Sequence, residues 1–322
     1  MDATTYAHAE VPMSVYRQNL PQQAGHLFLT DGGLETTLIY HEQVDLPLFA
    51  AFELLDSRSG VDVLRRYFST YAEVAHRCGV GIVLETPTWR ASRDWGAKLG
   101  HDADALAELN RLGVKLVSDT RDLWESPDTP VVISGNVGPR GDGYRADARM
   151  TIAEAAEYHG DQIRTFARTS ADMVAALTMN YIEEAAGIAL AAHDAGMPLA
   201  LSFTLETDGR LPSGDTIERV DACSDQYPTY YMINCAHPTH FMGVLPELGA
   251  AAGRVHGLRA NASRRSHAEL DASTELDAGD PQELAEEYRA IRELLPQLRV
   301  VGGCCGTDHR HVEAIARALQ DV

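Results

Sequence analysis

Two adjacent cysteines near the end of the chain are the strongest candidates for chemistry in this sequence. Cys304 and Cys305 follow the apolar pair Val300-Val301 and two glycines, and Gly306 comes directly after them. This order predicts a buried strand that opens into a turn and presents both thiols at its carboxyl end. Glycines on both sides let the backbone approach closely, which a metal site or a reactive thiol needs and an inert core cysteine rarely does.

A third cysteine, Cys235, ends another strand-like run. Three thiolates and one exchangeable position form a catalytic zinc site, and sulfur-rich ligation selects zinc over cations that prefer oxygen. We therefore predict one zinc ion per chain, held by these three cysteines. The alternatives are a disulfide between the adjacent cysteines or inert core thiols, and the latter is our interpretation of Cys78 and Cys223.

Composition and charge narrow the class of protein. The 322-residue chain is 45% hydrophobic and 23% charged, as ordinary soluble proteins are. Its net charge of −20 argues against nucleic-acid partners and anionic membrane surfaces. Five cysteines do not suggest a secreted disulfide framework, and neither a signal segment nor an apolar run of about 20 residues is visible. We therefore expect a cytoplasmic protein.

Strand-like and helix-like segments alternate along the chain. The predicted strands cover residues 27–30, 80–84, 131–134, 173–177, 199–203, 230–233, 255–259 and 298–302. Helical patterns lie between most of them, and Thr151 with Glu154 forms a capping box that opens one helix. Eight such units in about 300 residues favour an α/β fold of the closed (β/α)8 or TIM-barrel type, as a single domain over residues 25–322 after an N-terminal arm over 1–24.

The barrel prediction also places the candidate residues. An open, doubly wound sheet is the alternative, but no Gly-x-Gly-x-x-Gly motif opens a helix after the first strand. Barrel enzymes carry their active sites at the C-terminal ends of the strands. Cys235 follows strand six and the cysteine pair follows strand eight, so all three thiols are expected on the same rim.

Five motifs, in order along the chain, resemble those of the zinc-dependent homocysteine S-methyltransferases. They are Asp31-Gly32-Gly33, Gly135-Asn136-Val137-Gly138-Pro139, Ser202-Phe203-Thr204, Asn234-Cys235-Ala236-His237-Pro238 and Gly302-Gly303-Cys304-Cys305-Gly306-Thr307. That family includes the betaine and S-methylmethionine enzymes and the homocysteine module of cobalamin-dependent methionine synthase. The resemblance extends over almost the whole chain from Leu27 onward.

The resemblance implies that Cys235, Cys304 and Cys305 ligate zinc and that an acceptor thiol takes the fourth position. A free thiol has a pKa of about 8.5, whereas a coordinating thiol is deprotonated. Such a thiolate would attack the methyl group of a small onium donor, as S-methylmethionine is. The default acceptor is homocysteine, which would become methionine.

The same resemblance suggests which residues contact the substrates. Asp31 and Gly32 would hold the amino-acid part of the acceptor, and Asp31 and Asn234 are the catalytic candidates. Asn136 and Asn234 could bind polar groups of the substrate or orient loops. Taken alone, Asp31 fits an Asx turn and both asparagines fit ordinary turn residues. Trp89 and Trp95 could cover a cationic donor with their ring faces, or they could simply pack a loop.

Two departures from the family pattern concern the acceptor. The family usually has a glutamate at the end of strand four that binds the homocysteine ammonium, and this position is Leu177 here. Pro87 stands where an asparagine is usual. Because leaving a charge buried and unpaired is costly, either Glu85, Glu53 or Glu206 binds the ammonium or the acceptor is a different thiol.

We therefore predict a stand-alone S-methyltransferase that acts on two small molecules, a thiol and a methyl donor. A homo-oligomer and a separate corrinoid partner protein both remain compatible with the sequence. The rival from another class is a non-catalytic barrel that senses zinc or redox state through the adjacent thiols. A phosphate-binding barrel enzyme is disfavoured, because cysteines occupy the strand-eight rim where such a site usually forms.

Overall fold

A closed barrel of eight parallel strands forms the centre of the protein. The computed structural model describes residues 13–147, 149–217, 219 and 228–320. The strands follow one another around the barrel in chain order. They are β1 (Phe28–Leu29), β2 (Gly81–Glu85), β3 (Val131–Val137), β4 (Met173–Met179), β5 (Leu199–Phe203), β6 (Tyr230–Asn234), β7 (Val255–Ala260) and β8 (Val300–Gly303). The (β/α)8 prediction is thus confirmed.

Helices surround the strands. The described α-helices are α1 (Leu34–Thr36), α2 (Arg58–Cys78), α3 (Arg93–Leu99), α4 (Ala103–Trp124), α5 (Ile152–Ala167), α6 (Ile182–Asp194), α7 (Pro238–Phe241), α8 (His267–Asp271), α9 (Pro281–Leu294) and α10 (His309–Gln320). Short 3-10 segments cover Pro21–Ala24, Pro47–Phe49, Ala51–Asp56 and Met242–Arg254, and a π-helical turn covers Thr37–His41. The capping box expected at Thr151 and Glu154 opens α5.

The strands are buried on both faces, which explains their continuous apolar runs. Side chains at alternate positions of β4, Met173, Ala175 and Leu177, belong to the cluster that fills the barrel. Their neighbours Val174 and Ala176 pack in the larger cluster shared with the helices. Two structural layers therefore follow from the period of two along each strand.

The strand boundaries differ most from the sequence prediction at the functional rim. Strand β3 continues to Val137 and β4 to Met179, beyond the predicted ends at 134 and 177. In β4 this extension includes an irregularity in the register with β5 and a positive φ of 65° at Thr178. The extra residues lie at the C-terminal rim of the barrel. There, hydrogen bonds with other strands hold the backbone in the sheet without an alternation of apolar side chains.

Barrel closure joins β1 to β8 through only two pairs, Phe28 with Val300 and Leu29 with Val301. The opposite, N-terminal end of the barrel is covered by residues of the predicted arm. There, the Asp172 carboxylate accepts hydrogen bonds from the backbone N–H groups of Val15 and Tyr16, at 2.8 and 2.7 Å. Cys223 lies outside the described residues, and Cys78 is half-buried at the end of α2. In the described part of the chain, no helix is both long and apolar enough to cross a membrane.

Replacing Asp172 by asparagine should destabilise the fold strongly. The fully buried carboxylate also pairs with Arg121 at 3.0 Å, so Asp172→Asn leaves this buried guanidinium with only the longer contact to Glu125, at 3.7 Å. Breaking such a pair typically costs about 3–5 kcal/mol. The urea midpoint measures the effect. Asp119→Asn, which breaks the exposed pair with Lys115, is the matched control and should cost less than about 1 kcal/mol; equal shifts would contradict the assignment.

Candidate metal and substrate site

The three predicted cysteines meet at the C-terminal rim. The sulfur atoms of Cys235, Cys304 and Cys305 all lie within 4.8 Å of one another. Cys235 and Cys304 are joined as a disulfide, and Cys305 is free. The bonded pair therefore links the ends of β6 and β8, not the two adjacent residues that the sequence suggested as an alternative.

The donor set fits a metal. Ligand sulfurs on tetrahedral zinc, with Zn–S bonds of about 2.3 Å, stand about 3.8 Å apart, and the three sulfurs here lie within 4.8 Å of one another. Burial raises the pKa of the Cys305 thiol to about 11, so it would stay protonated without a nearby positive charge. The Tyr144 hydroxyl lies 3.7 Å from the Cys305 sulfur. Three sulfurs in an apolar setting are the chemistry of a soft cation site.

Local backbone geometry brings the cysteines together. Cys235 has a φ of 53°, in the left-handed region that a non-glycine residue seldom adopts. On the β8 side, a Cβ atom at Gly302 would collide with the Thr30 hydroxyl, and one at Gly303 with that of Thr307. The glycines before the cysteine pair are thus required for close packing between β8, the loop after β1 and Thr307, in agreement with the role predicted for them.

The strained Cys235 backbone is supported by a histidine. The His267 ring bonds the Cys235 carbonyl through Nε2 at 2.6 Å and the Glu206 carboxylate through Nδ1 at 3.1 Å. Its ring also stacks on Tyr144 with centroids 4.0 Å apart. His267 lies in a segment without a strand pattern, so nothing in the sequence indicated this role.

Arg259 is a second residue that sequence reasoning missed. Its guanidinium pairs with Glu85 and, at 2.5 Å, with Asp31, and it donates to the carbonyl of Gly303 at 3.0 Å. Burial alone would lower the pKa of Arg259, but the two carboxylates raise it above its ordinary value. The available signal was a charged residue at the C-terminal end of β7, where a barrel carries functional groups.

Asn234 holds the rim between strands. Its Oδ1 accepts from the Thr178 N–H at 2.9 Å and from the Ser202 hydroxyl at 2.6 Å, and its Nδ2 donates to the Thr178 hydroxyl at 2.8 Å. These bonds fix Thr178, which has a positive φ, and also Asn234 itself, which immediately precedes Cys235. In the described contacts, Asn234 is therefore a positioning residue.

One cavity of about 520 Å³ brings the predicted site residues together. Its lining includes all of the residues that the sequence singled out for the site, namely Asp31, Gly32, Glu85, Trp89, Asn136, Leu177, Asn234, Cys235, Cys304 and Cys305. Glu53 and Glu206, the other carboxylates suggested for the ammonium, are not among the lining residues and face His101 and His267 instead. The residues that the sequence singled out, apart from these two glutamates, thus lie around one cavity.

The contacts of Trp89, Trp95 and Leu177 do not suit an aromatic site for a cationic methyl donor. The Arg90 guanidinium lies over the Trp89 ring at 4.2 Å and over the Trp95 ring at 3.6 Å. The Trp89 indole N–H donates to the Leu177 carbonyl at 3.3 Å, and the Leu177 side chain is 6% exposed. A protein cation therefore already lies over both rings that the sequence offered for an onium donor.

Comparison with known proteins gives a consistent result. A family model described as homocysteine S-methyltransferase matches residues 28–319. Homocysteine S-methyltransferase 4 of Zea mays is 24% identical, over 93% of this chain and 91% of its own length, and homocysteine S-methyltransferase 3 of Arabidopsis thaliana is 22% identical, over 93% and 92%. The oxidized form of the Escherichia coli homocysteine methyltransferase MmuM has a TM-score of 0.74 at 20% identity, covering 92% of this chain and 97% of that one, and its metallated form has 0.73 at 20%, covering 93% and 98%.

Replacing Arg259 by methionine should destabilise the protein, and the loss should grow with pH. The variant leaves Asp31 and Glu85 buried without their cation, at a cost of about 3–5 kcal/mol. Burial already raises the pKa of Glu85 from 4.5 to about 7, so the folded protein favours the protonated carboxyl group. The contribution of this protonation to the stability of the fold is therefore lost as the pH rises through about 7. Without Arg259 this loss becomes larger.

Thermal melting of the wild-type protein and of Arg259→Met from pH 5 to pH 8 measures the difference in stability. The matched control is Arg264→Met, because Arg264 is 59% exposed and pairs with Glu283 and Glu287 at the surface. It should change stability by less than about 1 kcal/mol at any pH. A loss for Arg259→Met that is the same at both ends of the range would argue against the buried ion cluster.

Proposed function

The chain belongs to the homocysteine S-methyltransferase family, and from this premise we propose that it transfers a methyl group from a small onium donor to homocysteine, with a zinc ion held by Cys235, Cys304 and Cys305. The observation that carries the proposal is the convergence of three cysteine sulfurs within 4.8 Å in the cavity. The balance is simple. A new S–CH3 bond forms at the acceptor sulfur, the donor's bond to that methyl breaks, and the donor leaves without its positive charge.

When bound, one zinc ion per chain would keep an acceptor thiol deprotonated at neutral pH. The protein's own residues have three other tasks. His267 and Asn234 hold the strand ends that carry Cys235, and Arg259 holds the backbone just before Cys304. Thr178 and the buried Leu177 form part of the wall of the same cavity.

The disulfide between Cys235 and Cys304 bears on the rival, non-catalytic interpretation. Oxidation and metal binding use the same two sulfurs, so the disulfide and a three-cysteine metal site exclude each other. Family membership supports a methyltransferase over a sensor without turnover. A sensor would remain inactive with every thiol and donor in its reduced, zinc-loaded form. The oligomeric state, the identity of the donor and the lack of nucleic-acid partners stay predictions.

Replacing Cys305 by serine should abolish zinc retention and methyl transfer together. A serine hydroxyl is a poor ligand for zinc compared with a thiolate, and two sulfurs would remain. The measurements are zinc content of the reduced protein by elemental analysis and conversion of homocysteine to methionine with S-methylmethionine as donor.

The matched control is Cys78→Ser at the half-buried cysteine in α2, far along the chain from the rim. It should keep about one zinc ion per chain and its activity. If Cys305→Ser retained both zinc and turnover, the proposed role of the three cysteines would be wrong.

A further inference from the structure

Several charged side chains line the cavity without a part in the proposed chemistry, and two of them are Glu35 and Arg90; the others are Asp142, Asp271, Glu275 and Asp277. They line the same space as the three cysteines and Leu177. Their presence matters because Leu177 cannot pair with a substrate ammonium, so the charged head of an amino-acid substrate needs other partners. For each of Glu35 and Arg90, the question is whether a charged group of the protein already pairs with it.

Glu35 is a carboxylate of the cavity that has no close cation in the described structure. It lies in α1, directly after the Asp31-Gly32 loop, and is half-buried. No arginine, lysine or histidine nitrogen of the described residues lies within 4.0 Å of its carboxylate. Burial raises the pKa of Glu35 to about 7, against the lowering influence of Arg259 and Arg90.

The other carboxylates suggested for this role are occupied. Asp31 and Glu85 both pair with Arg259, and the second oxygen of Asp31 accepts from the Tyr67 hydroxyl at 3.0 Å. Glu206 faces His267. Glu35 also lines the cavity, close enough to Asp31 to be influenced by its charge, and it lacks such a cation partner in the described structure. Asp142, the other half-buried lining carboxylate without an ion pair, accepts a hydrogen bond from the Tyr144 N–H at 2.8 Å.

Arg90 is the complementary case. Its side chain is 9% exposed, yet no carboxylate of the described residues lies within 4.0 Å of it. Its one hydrogen bond runs from Nη1 to the Gly141 carbonyl at 3.1 Å, and its Nε is buried without a partner. The Trp89 and Trp95 rings hold the guanidinium in place but supply no hydrogen-bond acceptor of the strength that it prefers.

The two groups are close but not paired. Each influences the pKa of the other, yet they are not joined by an ion pair within 4.0 Å. The Asn136 side chain lines the same cavity, and its Oδ1 is buried without a partner. An anion-binding group, a cation-binding group and a free amide thus face one space, as the recognition of a zwitterion requires.

We propose that Glu35 and Arg90 bind the zwitterionic head of an α-amino-acid substrate, with Glu35 on the ammonium and Arg90 on the carboxylate. The inference rests on the proposed function. The head could belong to the acceptor homocysteine or to an amino-acid donor such as S-methylmethionine, since both carry the same two groups. Glu35 and Arg90 would then determine substrate specificity without touching the reacting atoms.

The test is calorimetric titration of the reduced, zinc-loaded protein with three thiols. They are L-homocysteine, 3-aminopropanethiol, which lacks the carboxylate, and 4-mercaptobutanoate, which lacks the ammonium. Glu35→Gln should weaken homocysteine and the aminothiol about tenfold or more and leave 4-mercaptobutanoate within about twofold. Arg90→Gln should show the opposite selectivity, and Arg90→Lys should retain part of the affinity for 4-mercaptobutanoate.

Two matched variants control for indirect effects. Glu275→Gln changes a carboxylate at the exposed edge of the same cavity, and Lys98→Gln removes the other cation that lies over the Trp95 ring, at 3.9 Å. Neither should change any of the three affinities by more than about twofold. Because the selectivity between ligands is the readout, a general loss of folding cannot imitate the expected result.

The outcomes separate the two proposals. If all thiol affinities are unchanged, but Arg90→Gln weakens S-methylmethionine more than its decarboxylated analogue and Glu35→Gln weakens both, the head belongs to the donor. If the wild-type protein binds homocysteine but the variants lack selectivity with either substrate, the role of Glu35 and Arg90 is wrong and the proposed function stands. If the wild-type protein binds no thiol, the proposed function fails and this inference fails with it.

Discussion

The buried guanidinium of Arg259 is the interaction on which the functional end of the barrel depends. Strand β1 has only two residues, so the closure between β1 and β8 is weak in backbone terms. Arg259 adds the missing links, because it bonds Asp31 and Gly32 after β1, Glu85 at the end of β2 and Gly303 at the end of β8. Two buried carboxylates make the cation obligatory, and the cation in turn makes their burial tolerable.

The same residue also fixes the cysteines. The Cys235 N–H donates to the Arg259 carbonyl at 3.1 Å, and the Cys304 N–H donates to the carbonyl of the next residue, Ala260, at 2.8 Å. The backbone at the end of β7 therefore lies between the two cysteine-bearing strands and holds both. A site assembled from β6 and β8 needs this intermediate strand, which explains why a residue that carries no sulfur is central to a sulfur site.

Much of this arrangement follows from the sequence, for reasons that can be stated. Apolar runs of strand length predicted the barrel, because the hydrophobic period and the length of each connection can be read locally from the sequence. The cysteines stood out because glycines flank them. Arg259, His267 and Arg90 were missed because an arginine or histidine in sequence is expected at the surface, and its partners lie on other strands. The ends of β3 and β4 were placed too early because Asn136 and Thr178 are held there by bonds from Thr86 and Asn234, not by their own hydrophobic pattern.

Leu177 stands at the end of β4, where the family resemblance implies a glutamate, so the proposed recognition of an ammonium needs a carboxylate from another strand. Residues at the ends of seven of the eight strands, all but β5, line one cavity, so a carboxylate that is absent from β4 can be replaced by one that follows β1, as Glu35 does. The replacement must be free of a protein cation, since a carboxylate that already has one gains little from a second. Asp31 and Glu85 fail this condition through Arg259, and Glu35 meets it. The cysteines proposed to bind metal and the charges proposed to select the substrate thus line one cavity but follow different strands, so either set can change without the other.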